Sequence, residues 1–352
     1  MVVLKDYYSW DDIKSQLNII EINKNYVNMV VVFLSPLLEK YYSQMKEYFI
    51  NTCHVTTQFI VSRKLGDQKR ANSILFNIVE QINIKMGGTN FFIDFYGENI
   101  FKKGEVFLIL VLEVRQINGE IHYSLVSTTN PNLNNTITIF KKCKNIGEEK
   151  EKCIEELMKS SLDGIKKAPH APDYIILYRQ GGNYIQNKKL AENEVPMITK
   201  FLNERKAGDI NKQINPKFIY VCCNLKGDLK FFEKGNGRYA NPKSGLCVDS
   251  EVTQKDKYEF YIQPQFVNQG TATPCHYQVL YEDRDSNDEK NLKLEELQLL
   301  SFYLSFYYWT WSGAVRVPGA LKLATTAMDF FSRHLGNKLS LPGQKFVNPI
   351  YI

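Results

Sequence analysis

Residues 105–143 carry three apolar, β-branched runs: "EVFLILVLEVRQ" (105–116), "GEIHYSLVSTTN" (119–130) and "NTITIFKKC" (135–143). Only a few residues, rich in Asn and Gly, separate them. Connections that short join antiparallel neighbours, so the runs are expected to form a meander. The period then changes. "GEEKEKCIEELMKSSLDGIKK" (147–167) is a charged amphipathic helix, "DYIILYRQ" (173–180) a strand and "NKKLAENEVPMITKFLNERK" (187–206) a helix. A strand that follows a helical crossover must add to the meander in parallel. The βββαβα order therefore predicts an α/β fold built on a mixed sheet with flanking helices.

The preceding residues read as a smaller α/β unit. Met29–Leu34 has the apolar content of a buried strand, and Ser35-Pro36 is expected to open a helix. "HVTTQFIVSRKL" is a second strand. Ile74, Leu75, Ile78, Val79 and Ile82 recur at helical spacing before Gly87-Gly88 stops the helix. The boundary is set at residues 1–95 and 96–352. Downstream, strands are expected in "KFIYVCCN", "GLCVDSEV", "YEFYIQP" and "CHYQVLYED". "NLKLEELQLLSFYLSFYYWTW" reads as one helix, and a last helix lies near 320–334.

Composition removes several function classes. No run approaches 18 apolar residues, so no membrane span is expected. Seven cysteines without a CxxC pair suit free thiols in a reducing compartment, cytoplasmic or nuclear, and indicate neither a zinc site nor a disulfide framework. A net charge of +6 permits a polyanionic partner without demanding one.

Five residues of the first unit suit a phosphate. Tyr42 and Lys46 stand four apart on one predicted helix, Gln81 and Lys85 four apart on the next, and Gln58 lies in the strand between. A phenol, two ammoniums and two amides are hydrogen-bond donors of the right kind.

"TTQFIV", "QINIKMGGTN", "FVNQGTATPCHYQVLYED" and "GAVRVPGALKLA", in this order and spacing, resemble the MID and PIWI domains of the Argonaute/Piwi family, closest to its Piwi branch. The resemblance covers roughly residues 28–352. It implies a small Rossmann-like MID domain followed by an RNase H-like PIWI domain, and small-RNA binding in gene silencing. By the same resemblance Tyr42, Lys46, Gln58 and Lys85 match the pocket for the 5′ phosphate of a guide RNA. Gln81 and the C-terminal carboxylate of Ile352 match positions that hold a Mg2+ ion beside that phosphate. Tyr308, placed at the end of an aromatic-rich helix, matches a contact to the guide backbone. Other protein subunits are expected partners, whether the chain is an RNA-guided module or a scaffold.

The resemblance also locates the family's slicing site, where acidic side chains and a final His or Asp surround two Mg2+ ions. Hard cations need anionic oxygens. Here Glu113 stands where the family has its first aspartate, Gln180 replaces the second in "YRQG", and Thr325 takes the last position. The inserted family glutamate falls among Glu148, Glu149 and Glu151, and Asp163 or Asp173 are rival ligands. Neutral ligands remove most of the attraction for Mg2+. The expectation is a pseudoenzyme with no catalytic residues and no catalytic cofactor. Thr310, Arg316, Lys322 and Phe330 also depart from the family's guide contacts, and His276 reads as a packed structural histidine.

Overall fold

The first unit is built around two parallel strands, β1 (Met29–Leu34) and β2 (Thr56–Val61), with Met29 opposite Thr56 and Leu34 opposite Val61. Parallel neighbours need a crossover, which α2 (Tyr42–Tyr48) and a π-helical turn (Phe49–Cys53) supply. The turn ends at His54, whose φ of 54° redirects the chain into β2. The computed structural model of the chain describes residues 9–66, 68–95, 101–102, 104–165, 171–208, 216–235, 237–255, 257–283, 291–311, 313–335, 345–346 and 349–352. Pro36 lies in a turn, and α2 begins only at Tyr42 after a 3-10 turn at Glu39–Tyr41, later than the sequence predicts.

Helix α1 (Trp10–Ile22) lies in a stretch to which the sequence reading assigns no element. Its N-cap Ser9 accepts a hydrogen bond from the Asp12 amide at 3.2 Å. Ile13, Leu17 and Ile20 share one face and pack with Leu34, Met45 and Phe49. Helix α3 (Gln68–Lys85) follows β2 and carries Gln81 and Lys85 back toward it.

The meander is β3 (Phe107–Ile117), β4 (Glu120–Thr128) and β5 (Thr136–Lys144). Helix α4 (Gly147–Gly164) crosses to β6 (Tyr174–Gly181), which adds to β3 in parallel. Helix α5 (Tyr184–Gly208) crosses to β7 (Lys217–Asn224), again parallel. After the exposed hairpin of β8 (Glu233–Gly235) and β9 (Arg238–Ala240) come β10 (Leu246–Val248), β11 (Glu259–Gln263) and β12 (Cys275–Glu282), which extend the sheet antiparallel. With β13 (Lys345–Phe346) on the far edge, the nine-stranded order is β10-β11-β12-β7-β6-β3-β4-β5-β13.

Strands β3 and β6 are apolar on both faces because both are covered. Ile109, Val111, Ile176 and Tyr178 meet α6 (Leu294–Leu304) and α7 (Gly319–Phe330). Leu108, Leu110, Ile175 and Leu177 meet α4 and α5. The aromatic tract does not continue α6: the helix stops at Leu304, and Tyr308 follows in irregular backbone. Rings here pack from irregular backbone. The Tyr307 hydroxyl accepts from the Ile93 amide and donates to the Asn132 carbonyl, both at 3.0 Å.

The C-terminal residues are docked. Tyr351 is buried, its hydroxyl pairs with that of Thr138 on β5 at 2.6 Å, and its ring lies 6.1 Å from that of Phe331. No helix among the described residues is long and apolar enough to cross a membrane.

Candidate nucleic-acid interface

Helix α2 turns Lys46 inward. The residue is 2 % exposed, and its ammonium lies 2.9 Å from the Thr57 hydroxyl, ringed by Phe59 at 4.8 Å, Phe330 at 5.5 Å and Tyr42 at 5.9 Å. Lys85, on the last turn of α3, is also 2 % exposed. It donates to the Gln58 side-chain oxygen at 2.7 Å and to the Thr57 carbonyl at 3.3 Å. The Gln58 amide in turn donates to Gln81 at 2.9 Å. The structure thus brings Tyr42, Lys46, Gln58, Gln81 and Lys85 into one cluster between α2, β2 and α3.

Lysines are almost never buried unless paired. Among the described residues no carboxylate lies within ion-pair distance of Lys46, and its charged neighbour is another lysine. Burial, and then the charge of Lys85, push the Lys46 ammonium well below the ordinary lysine range. Burial lowers Lys85 to about 8. Burial raises the Tyr42 hydroxyl, which therefore stays a donor. The cluster is a set of desolvated donors around Lys46, the electrostatics of an anion site.

Three further residues complete it, and the sequence reading missed them as members of the cluster: Thr57, Phe330 and His334. The last two arrive from α7 and the π-helical turn after it, Phe331–Leu335. His334 holds the Ser43 hydroxyl through Nδ1 at 2.8 Å, and its ring packs edge-on to Tyr42 at 5.0 Å. Burial, then the charges of Lys46 and Arg333, lower its pKa, so the imidazole is neutral at pH 7. Thr57 was signalled by its place beside Gln58. No local pattern marks His334.

Two other predicted members pack against the main core. Ile352 is half-buried beside Tyr351. The Gln81 oxygen accepts from the Gln58 amide and keeps a second lone pair, and with a carboxylate it is the kind of oxygen ligand a hard cation takes. Tyr308 is half-buried against the main core and near Tyr351.

A pH dependence follows from the two lysines. The affinity for a 5′-phosphorylated RNA is expected to fall about tenfold per pH unit above about 8, as Lys85 loses its proton. For the empty protein the sign reverses. A lysine whose folded pKa lies below its unfolded value near 10.4 costs stability while both states are charged. The unfolded chain binds the extra proton between about 8 and 10.4, so this group's contribution to stability rises across that window. RNA titrations and thermal melts over pH 7–10 check both signs.

The slicer positions lie on the sheet face that α7 covers. Glu113 on β3 neighbours Gln180 on β6, one residue beyond the pair Leu112–Arg179. Glu113 is 5 % exposed and accepts from Arg115 Nε at 3.1 Å. Arg115 Nη1 reaches Asp329 on α7 at 2.5 Å. The half-buried Gln180 side chain makes no hydrogen bond among the described residues, and Thr325 donates to the Leu321 carbonyl of its own helix at 3.0 Å.

Gly181 and Gly182 have a packing reason. A Cβ on Gly181 would stand 2.5 Å from the Asn187 side-chain oxygen, and one on Gly182 would overlap Gln186. The start of α5 closes directly over the strand tip, where the Gly182 amide donates to Asn187 at 2.7 Å.

Of the remaining acidic candidates, Glu148 is exposed at the start of α4 and the others are engaged elsewhere. Glu149 accepts the Lys144 amide at 2.9 Å and Glu151 pairs with Lys200 at 2.5 Å; both lie on α4, which covers the opposite face of the sheet from Glu113. Asp173 caps the Val106 amide at the far end of β6, and Asp163 pairs with Arg205. His276 stacks on Tyr261 and bonds Glu259 at 3.0 Å, a packed side chain. Among the described residues no three His, Cys, Asp or Glu side chains are grouped to hold a metal ion.

Comparison with known proteins places this geometry. The family model described as "Piwi domain" matches residues 29–334. Piwi-like protein 1 of Gallus gallus is 29% identical over 302 residues, 84% of this chain and 32% of that protein. Protein piwi of Drosophila melanogaster is 27% identical over 292 residues, 82% of this chain and 32% of that protein. The chain thus spans about a third of these relatives. The crystal structure of Drosophila Piwi superposes with a TM-score of 0.78 over 99% of this chain and 45% of that one, at 21% identity. Kluyveromyces polysporus Argonaute with a guide RNA gives 0.76 over 96% and 43%, at 18% identity.

Proposed function

Because the chain belongs to the Piwi family, we propose that it binds the 5′-phosphorylated end of a small guide RNA and does not cut the paired target. The first unit, residues 1–95, acts as the MID-like phosphate holder, and residues 96–352 as the PIWI-like body. The observation that carries this reading is Lys46, a buried ammonium with no carboxylate against it among the described residues, beside the buried Lys85. A fold keeps such a charge at a cost unless an anion arrives to compensate it. A terminal phosphate does so while accepting from Tyr42, Lys46, Gln58 and Lys85. Gln81 holds the Gln58 amide in orientation. The relative solved with a guide RNA, similar in fold, supports the same class of ligand. The neutral side chains at 180 and 325 support the absence of cutting.

RNA recovered with protein purified from its native source tests the reading. It should be a narrow size class that accepts a 5′ label only after phosphatase treatment. RNA with free 5′ hydroxyls, or no RNA above background, counts against it.

A further inference from the structure

The residues of the former metal centre do not fit divalent ions, for a reason more specific than missing carboxylates. We propose that the guanidinium of Arg115 is the resident cation of that centre, gripped between Glu113 and Asp329 and closing it to metal. The proposal deepens the reading of a chain that does not cut, and rests on it.

Strand alternation puts residues 113 and 115 on the same face of β3, the face toward α7. On α7, Asp329 stands one turn after Thr325, so both project from one side of the helix. Arg115 spans the gap: Nε to Glu113 at 3.1 Å, Nη1 to Asp329 at 2.5 Å. Glu113 is buried and needs a counter-charge. Among the described residues its second oxygen has no hydrogen-bond partner, and the other cation near it, Arg179 at 3.9 Å, is shared with Glu194 at 3.3 Å. A guanidinium cannot shed its proton to make room. A divalent ion at Glu113 would meet this fixed positive charge at a few ångströms, where repulsion is large.

The other substitutions fit the same balance. Two carboxylates matched to one monovalent bridge, with Arg179 nearby, leave no need for anions at 180 or 325. Gln180 and Thr325 are neutral. The centre has exchanged metal ions and their acidic cage for an internal ion bridge.

The test uses RNA-free protein, so a failure of phosphate binding cannot affect it. Wild type should melt at the same temperature with and without millimolar Mn2+. Arg115→Gln removes the bridge and should lower Tm by roughly 2–4 °C. Mn2+ should then restore it by binding the exposed pair of carboxylates. Adding Asp329→Asn should abolish that response. The proposal is overturned if Mn2+ stabilises the wild type as much as the variant, or if Arg115→Gln melts like wild type and ignores Mn2+. Should the variant not fold, Mn2+ electron paramagnetic resonance on the wild type decides. Bound ion that is lost on Glu113→Gln overturns the proposal; no ion retained at Glu113 upholds it.

Discussion

Replacing both Lys46 and Lys85 with alanine will cost on the order of a hundredfold or more in affinity for 5′-phosphorylated RNA, while 5′-hydroxyl RNA changes little. Charge-assisted hydrogen bonds contribute roughly 1.5–3 kcal/mol each, so two together reach that range. Both lysines are almost fully buried before any ligand arrives, at 2 % exposure each. The usual loss of hydration on binding is therefore largely prepaid in folding. Neither change should unfold the protein. Among the described residues Lys46 orphans no carboxylate when removed, and burial already disfavours its charge. Filter binding of the two RNA forms, with a melting curve for each protein, checks the result. Equal losses for both forms would assign the lysines to the RNA backbone or to folding.

A protein loaded with a guide and given a fully matched RNA is expected to yield no product opposite the middle of the guide, in Mg2+ or Mn2+. Two-metal cutting needs anionic ligands that hold both ions in place. Only Glu113 offers a carboxylate at a matched position, and it already accepts from Arg115. Gln180 and Thr325 supply a neutral carbonyl and a hydroxyl, the latter spent on the Leu321 carbonyl. Restoring one ligand alone, as in Gln180→Asp, should not revive cutting, because Arg115 still stands at the centre. A specific product in the wild type that disappears in Glu113→Ala would contradict this part of the account.

Local chemistry explains what could be read from the residues. Strands β3 and β6 are covered on both faces, so "FLILVL" and "YIILY" are continuous apolar runs. Tyr42–Lys46 and Gln81–Lys85 are one-turn pairs on real helices, so their shared faces survive folding. The aromatic tract after Leu304 misleads because rings at helical spacing pack equally well from turns, as Tyr307 and Trp309 do with centroids 4.7 Å apart. The remaining contacts join residues far apart in the chain. His334 meets Ser43 across 291 positions and Arg115 meets Asp329 across 214. Neither partner carries a signal that names the other. The arginine bridge was illegible for a second reason: Arg115 follows Glu113 by two residues, and that spacing means nothing until the strand is known to bury that face.

The central claim, that the buried lysine cluster is a phosphate site, is tested most directly by the wild-type protein alone. Two RNAs of one sequence, one with a 5′ phosphate and one with a 5′ hydroxyl, compete for it at fixed salt and pH 7. The account predicts that the phosphate form wins by on the order of a hundredfold. Equal binding would contradict it.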